Sequence, residues 1–281
     1  MRILLFSLLY LGQDLTLHSA AAAKAMREQR YAEAVGIYRG LTQKDAANPM
    51  WQLNLGMALF YAGGHAEAAR ELSAYLRVRP QPGAAHLFLG ISKLKLHQAC
   101  EAIAPLETAL RWPERPTNRW TELADAYQGC KRWEPAAKTY AEAAKTDPAD
   151  FQSLRQAAHC WRMAHRYDLA KPVFAALQAK YQGNAEFQFE YGDTLLRLEG
   201  AAKGLSWLER AVATDPNLWP ARAALGRALM ELERPADAVS HLEAGAAHDP
   251  SLLLALSRAY QAVGRSAEAA KAVADYKAAI P

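Results

Sequence analysis

The chain has 281 residues, 51% of them hydrophobic and 22% charged, a balance that excludes wholesale disorder and fits one or two globular domains. Its 33 basic and 29 acidic residues leave a net charge of +4 with no Lys/Arg block, so the composition offers no nucleic-acid surface. Three cysteines are too few for a disulfide-built scaffold, and 16 glycines with 14 prolines are too few for a collagen or a low-complexity linker.

In chain order, the first element is an apolar run, Ile3 to Gly12, behind the positive end Met1-Arg2. It reads as the hydrophobic part of a secretory signal within residues 1–14, with a cleavage point as late as residue 21 because Ser19-Ala20-Ala21 has the small-x-small pattern. The other reading is an apolar capping helix of a cytoplasmic protein. Export to a periplasmic or extracellular location is the preferred expectation. The run is too short to span a bilayer, and no later stretch approaches the ~18 apolar residues of a spanning helix, so no membrane span is expected after signal removal.

From residue 15 onward the chain repeats itself with a period of 34. Ala34, Ala68, Ala102, Ala136, Ala170, Gly204 and Ala238 form one column of small residues. Ala22, Gly56, Gly90, Ala124, Ala158, Gly192 and Gly226 form a second, twelve residues earlier. Small side chains let two helix backbones approach, so each period predicts a helical hairpin crossing at these two positions. Four residues after the first column lie Tyr38, Leu72, Leu106, Tyr140, Phe174, Leu208 and Leu242, on the same helical face. Asp147-Pro148, Asp215-Pro216 and Asp249-Pro250 recur as stop signals, with Pro80 in the same register.

Trp120-x2-Leu123-Ala124-x2-Tyr127, Ala136, Tyr140 and Pro148 follow the W-x2-L-G-x2-Y…A…P pattern through one whole period. Leu225-Gly226, Ala238, Leu242 and Pro250 follow it in another. On these residues the chain resembles the tetratricopeptide repeat (TPR) family over residues 15–281, in about eight repeats, the eighth beginning three residues early at Pro250. The resemblance implies an all-α fold, a right-handed α-solenoid of tandem helical hairpins, with a concave groove lined by the first helix of each repeat. Each hairpin buries little alone and is stabilised by its neighbours.

No His-Glu-x-x-His, Gly-x-Ser-x-Gly or P-loop occurs, and no two histidines lie three or four apart, so no catalytic, cofactor or metal site is expected. His159-Cys160 is an adjacent pair whose side chains leave a helix in different directions. In stacked hairpins Cys100, near the start of a second helix, and Cys130, near the end of the following first helix, fall on neighbouring antiparallel helices. Two readings stay open: a disulfide formed after export, or two reduced thiols. By the family geometry, repeats two and three present Met50, Leu53, Met57, Phe60, Tyr61, Leu87, Phe88 and Ile91 to the groove, a mainly apolar set. Repeats four to six present polar residues, among them Gln152, Arg155, His159 and Arg162. Apolar stripes of this kind also serve simply as packing between repeats. The expected function is a non-enzymatic scaffold that binds a protein or peptide partner in the groove; the alternative is an accessory or assembly subunit of an envelope enzyme or secretion complex.

Overall fold

The computed structural model describes residues 2–80, 83–112, 119–147 and 149–279, with side chains from residue 14 onward. Among the described residues there are sixteen α-helices, one short 3-10 turn and no strand. The helices pair as α1 (Arg2–Arg27) with α2 (Tyr31–Lys44), α3 (Pro49–Tyr61) with α4 (His65–Val78), α5 (Gly83–Lys95) with α6 (Ala99–Arg111), and α7 (Trp120–Gly129) with α8 (Trp133–Thr146). They continue as α9 (Phe151–Met163) with α10 (Tyr167–Tyr181), α11 (Ala185–Glu199) with α12 (Ala201–Thr214), α13 (Trp219–Glu231) with α14 (Pro235–Ala246), and α15 (Leu253–Ala262) with α16 (Ser266–Ala279). The chain divides into two compact units, Met1–Thr146 and Asp147–Pro281. Helix α1 runs unbroken through residues 14 and 15, where the sequence suggested a boundary. Among the described residues no helix is long and apolar enough to cross a membrane.

The two small-residue columns are the crossing points of the hairpins. Every alanine in them is fully buried. A Cβ added at Gly56, Gly90 or Gly226 would come within 2.7, 2.5 or 2.7 Å of Leu72, Leu106 or Leu242. Those leucines belong to the apolar column that follows each crossing, so the glycine and the leucine specify one contact together. In the shortened eighth repeat Ser257 takes the small position, buried, with its hydroxyl donating to the Ala269 carbonyl at 2.9 Å.

The turn inside the hairpin repeats as well, in every hairpin except α11–α12, where Gly200 alone joins the two helices. Gln29, Gly63, His97, Lys131 and His165 have positive φ, as do Glu233 and Gly264. In each case the next amide donates to the carbonyl five residues back, for example Arg132 to Tyr127 at 2.8 Å, which closes the first helix. Between hairpins, the Asp147, Asp215 and Asp249 side chains each accept from the amide two residues on, at 2.9 to 3.0 Å. The Asp-Pro stop signal thus works through an Asx turn as well as through the missing proline amide.

Within the first unit the first helices touch one another, α3 with α5 and α5 with α7; within the second, α9 meets α11 and α11 meets α13. First helices of successive repeats therefore line one continuous face in each unit.

The crossings carry a prediction of sign. Gly204→Ala would put a Cβ 2.5 Å from the Gly192 carbonyl oxygen and 2.9 Å from the Leu196 amide nitrogen, both backbone atoms. The ~1 kcal/mol gained in helix propensity is outweighed by overpacking, for a net loss of about 1–3 kcal/mol. Gly36→Ala on α2, where nothing lies within 4 Å of the new Cβ, gains about 0.5–1 kcal/mol. Urea melts of the two variants should shift in opposite directions; equal shifts would show that the crossing is not tight.

Candidate functional site

In the first unit, the face of α3, α5 and α7 carries an aromatic cluster. The Phe60 and Phe88 ring centres are 4.9 Å apart and those of Tyr61 and Phe88 5.6 Å apart. Tyr31, from the second helix of the first hairpin, stacks on Tyr61 at 5.2 Å. These rings open into a cavity of about 540 Å³, with Phe60, Tyr61, Leu87, Phe88 and Ile91 on the apolar side and Lys95, Arg119, Glu122 and Asp125 on the charged side. Met50 and Tyr61 are about half exposed. Leu53 is withdrawn from the face into a core cluster with Leu72, Tyr75, Ala85 and Leu89, against which Met57 and Phe88 also pack. Leu87 is buried as well, although it borders the cavity. The apolar stripe thus divides: some members seal the repeats together, and others remain open.

In the second unit the equivalent face is an ion ladder. Arg155 pairs with Glu186 at 3.0 Å, His159 Nδ1 contacts Glu190, and Arg162 pairs with Asp193 at 3.0 Å. Each pair joins α9 to α11 at a separation of 31 residues. Arg162 also reaches Glu190 at 3.8 Å, and Arg197 reaches Asp193 at 3.5 Å. Glu190 and Asp193 are buried, and Gln152 is exposed beside the ladder. Arg155 lies over the Tyr181 ring and Arg162 over Phe189, contacts that hold the guanidinium planes in place.

Beyond Asp193 the ladder stops. Arg227 on α13 has its Nε removed from solvent and without a hydrogen-bond partner. Burial, then the neighbouring Arg197 charge, push its guanidinium below the usual arginine range. The sequence reading ended at repeat six and missed Arg227, Glu186 and Tyr31. The signal that finds Glu186 is the 31-residue spacing of opposite charges; Arg227 has no opposite charge at that spacing, and Tyr31 comes from a second helix, which no first-helix register would select.

His159 and Glu190 form an acid–base contact, but the adjacent Cys160 is fully buried. Among the described residues no group of three or more His, Cys, Asp or Glu is arranged to hold a metal ion.

Cys100, the second residue of α6, and Cys130, the C-cap of α7, come together as a disulfide with Cα atoms 4.9 Å apart. A Cβ at the neighbouring Gly129 would sit 2.7 Å from the Ala99 Cβ, so glycine there is what lets the two backbones come this close.

Successive two-helix units of near-constant length, crossing at small residues and stacked through their first helices within each compact unit, define a helical-repeat protein. A sequence profile described as tetratricopeptide repeat matches residues 53–118 and 163–218. These two segments are tetratricopeptide repeats. Solved structures with the same fold include MamA, residues 41 to the end, from Desulfovibrio magneticus RS-1, at 19% identity and TM-score 0.52 over 59% of this chain and 97% of that one. The C-terminal part of a TPR repeat-containing protein from Cytophaga hutchinsonii matches at 13% identity and TM-score 0.56 over 82% and 95%. A chain of the Naa15/Naa10 complex bound to HypK-THB matches at 15% identity and TM-score 0.60, over 95% of this chain and 42% of its own. No curated protein matches the chain in sequence. The fold is that of protein–protein interaction scaffolds in general.

Proposed function

We propose that the protein is a non-enzymatic scaffold that seats a peptide or protein partner against the aromatic cavity of its first unit. One observation carries this reading: Phe60, Tyr61 and Phe88 border open space of about 540 Å³, although Phe60 and Phe88 also pack in part against the core. Clustered aromatic and aliphatic side chains with charges at one edge suit an amphipathic segment whose apolar side chains fill the cavity. In a pull-down with the full chain as bait, Phe60→Asp with Phe88→Asp should remove the partners held by the wild type while the circular dichroism spectrum stays helical. Retention of those partners by a folded double variant would refute the cavity as the binding surface.

We further propose that the chain is exported, with the apolar run at residues 3–12 acting as its signal. A disulfide between Cys100 and Cys130 supports this, since such bonds persist in oxidising compartments. It also keeps open the role of an accessory or assembly subunit of an envelope enzyme or secretion complex. Ala22 and Ala25 are fully buried at the α1–α2 crossing, so cleavage after Ala21 would leave only the last turns of α1 to cover α2. That favours an earlier cut. Fractionation together with the mass of the mature N-terminus tests both points, and a full-length cytoplasmic product would overturn export.

A further inference from the structure

The second helices of the first unit leave a trough between them. Arg70, Ser73 and Arg77 of α4 face Glu101 of α6 across a cavity of about 700 Å³, floored by Lys93 and Leu96 at the end of α5. A second cavity of about 340 Å³ shares Ser73 and Arg77 and continues the trough over Leu76, Leu89 and Pro105. The period of 34 shows why it is open. One repeat earlier the place of Ser73 is held by Arg39, whose guanidinium crosses from α2 to Glu67 on α4 at 2.8 Å. One repeat later it is held by Glu107, which accepts from the Tyr127 hydroxyl. Ser73 is too short to cross, and Glu101, the counterpart of Glu67, turns to Lys93 at 2.5 Å instead. Arg70 and Arg77 stand exposed on the α4 wall, with no ion pair or hydrogen bond among the described residues. With Lys93 engaged by Glu101, the trough keeps two unneutralised positive charges beside an apolar floor.

We propose that the trough between α4 and α6 seats an acidic amphipathic helix of a protein partner, whose carboxylates, two turns apart, pair with Arg70 and Arg77. Charge complementarity selects the acid, because each planar guanidinium fork matches a carboxylate at two points. Spacing selects the helix. Arg70 and Arg77 are two turns apart on α4, about 10 Å along its axis, and a helix laid alongside presents its own side chains at the same interval. From Ala66 to Arg77 the α4 wall is about 16 Å long, room for three turns. Leu76, Leu89 and Pro105 would take the partner's aliphatic side chains next to those carboxylates. The trough lies on second helices, whereas first helices carry the aromatic rings of the other cavity, so this inference goes beyond that site and does not depend on it.

The test uses the full-length protein and three fluorescein-labelled peptide amides. QAEAQLLQAEAQLLA puts its two glutamates on one helical face beside the leucines. QAEAQLLEAQAQLLA has the same composition with the glutamates on different faces, and QAQAQLLQAQAQLLA is neutral. Fluorescence anisotropy should show binding of the first, with the other two weaker by about tenfold or more. Arg70→Gln with Arg77→Gln should weaken binding of the first peptide by about tenfold or more. Ser73→Arg is the sharper variant: it adds a positive charge but reproduces the crossing that Arg39 makes to Glu67, so it should close the trough and weaken binding too. Phe60→Asp with Phe88→Asp should leave binding unchanged. Circular dichroism checks that each variant folds; Arg70 and Arg77 are exposed, so their replacement leaves the core intact. Equal affinity for the three peptides, no binding of the first, or undiminished binding by the arginine variant would overturn the proposal. Unchanged or tighter binding by Ser73→Arg would show attraction by charge alone and overturn it as well. Loss with the Phe60 and Phe88 variant would place the peptide in the aromatic cavity and have the same consequence.

Discussion

Replacing Arg162 with alanine is expected to cost about 3–5 kcal/mol of unfolding free energy, the effect of removing one partner from a buried ion pair. The guanidinium is mostly shielded, with 14% of its side-chain surface exposed, and it neutralises two carboxylates, Asp193 and Glu190, that are 8% and 9% exposed. Alanine would strand both in a poorly solvated site between α9 and α11, where His159 and Arg197 only partly compensate. The loss thus reflects two uncompensated charges more than one missing contact. Adding Glu190→Gln and Asp193→Asn to an Arg162→Met background should recover most of it, because the buried cation and its two carboxylates are then removed together and neither carboxylate is left uncompensated. The exposed pair Arg166–Asp168 is the control: Asp168→Ala should leave the urea midpoint close to that of the wild type. Urea unfolding followed by circular dichroism reads all three. A loss below about 1 kcal/mol for Arg162→Ala would mean that water reaches the ladder.

The second large effect is expected from Cys100→Ser with Cys130→Ser. The bond closes a segment with a sequence separation of 30, and the loop-entropy relation for that length gives about 3–4 kcal/mol. The segment contains most of α6 and all of α7, so opening it frees a stacking interface between successive hairpins. In urea melts under oxidising conditions the double variant should unfold earlier than the wild type. Adding reductant should lower the wild type to the variant's midpoint and leave the variant where it was. A wild type indifferent to reductant, with unchanged mobility on non-reducing gels, would show that the thiols are not bonded.

The repeating architecture was legible because its physical requirement is local and recurrent. A hairpin crossing needs a small residue at two fixed places, so Gly56, Gly90, Gly192 and Gly226 mark it in any single period, and seven periods in register leave no other arrangement. The left-handed turn residues were not legible. Only Gly63, Gly200 and Gly264 announce a positive φ, while Gln29, His97, Lys131, His165 and Glu233 adopt it without glycine, held by hydrogen bonds back to the helix they end.

The groove was legible only in part, since register selects a helical face but does not say which side chains on that face another repeat will cover. Leu53 and Phe60 both satisfy the register, yet Leu53 is sealed against Leu72 and Leu89 whereas Phe60 borders open space. Sequence alone determined the hairpin period, its crossing points and the residue types facing inward, because these depend on spacing along one helix. Tertiary structure decided which charges are neutralised across neighbouring helices, which aromatic rings stay uncovered, and that Arg227 is left without a partner. Each of those outcomes depends on distances between residues about 30 apart in sequence, which only the stacking of one hairpin on the next defines.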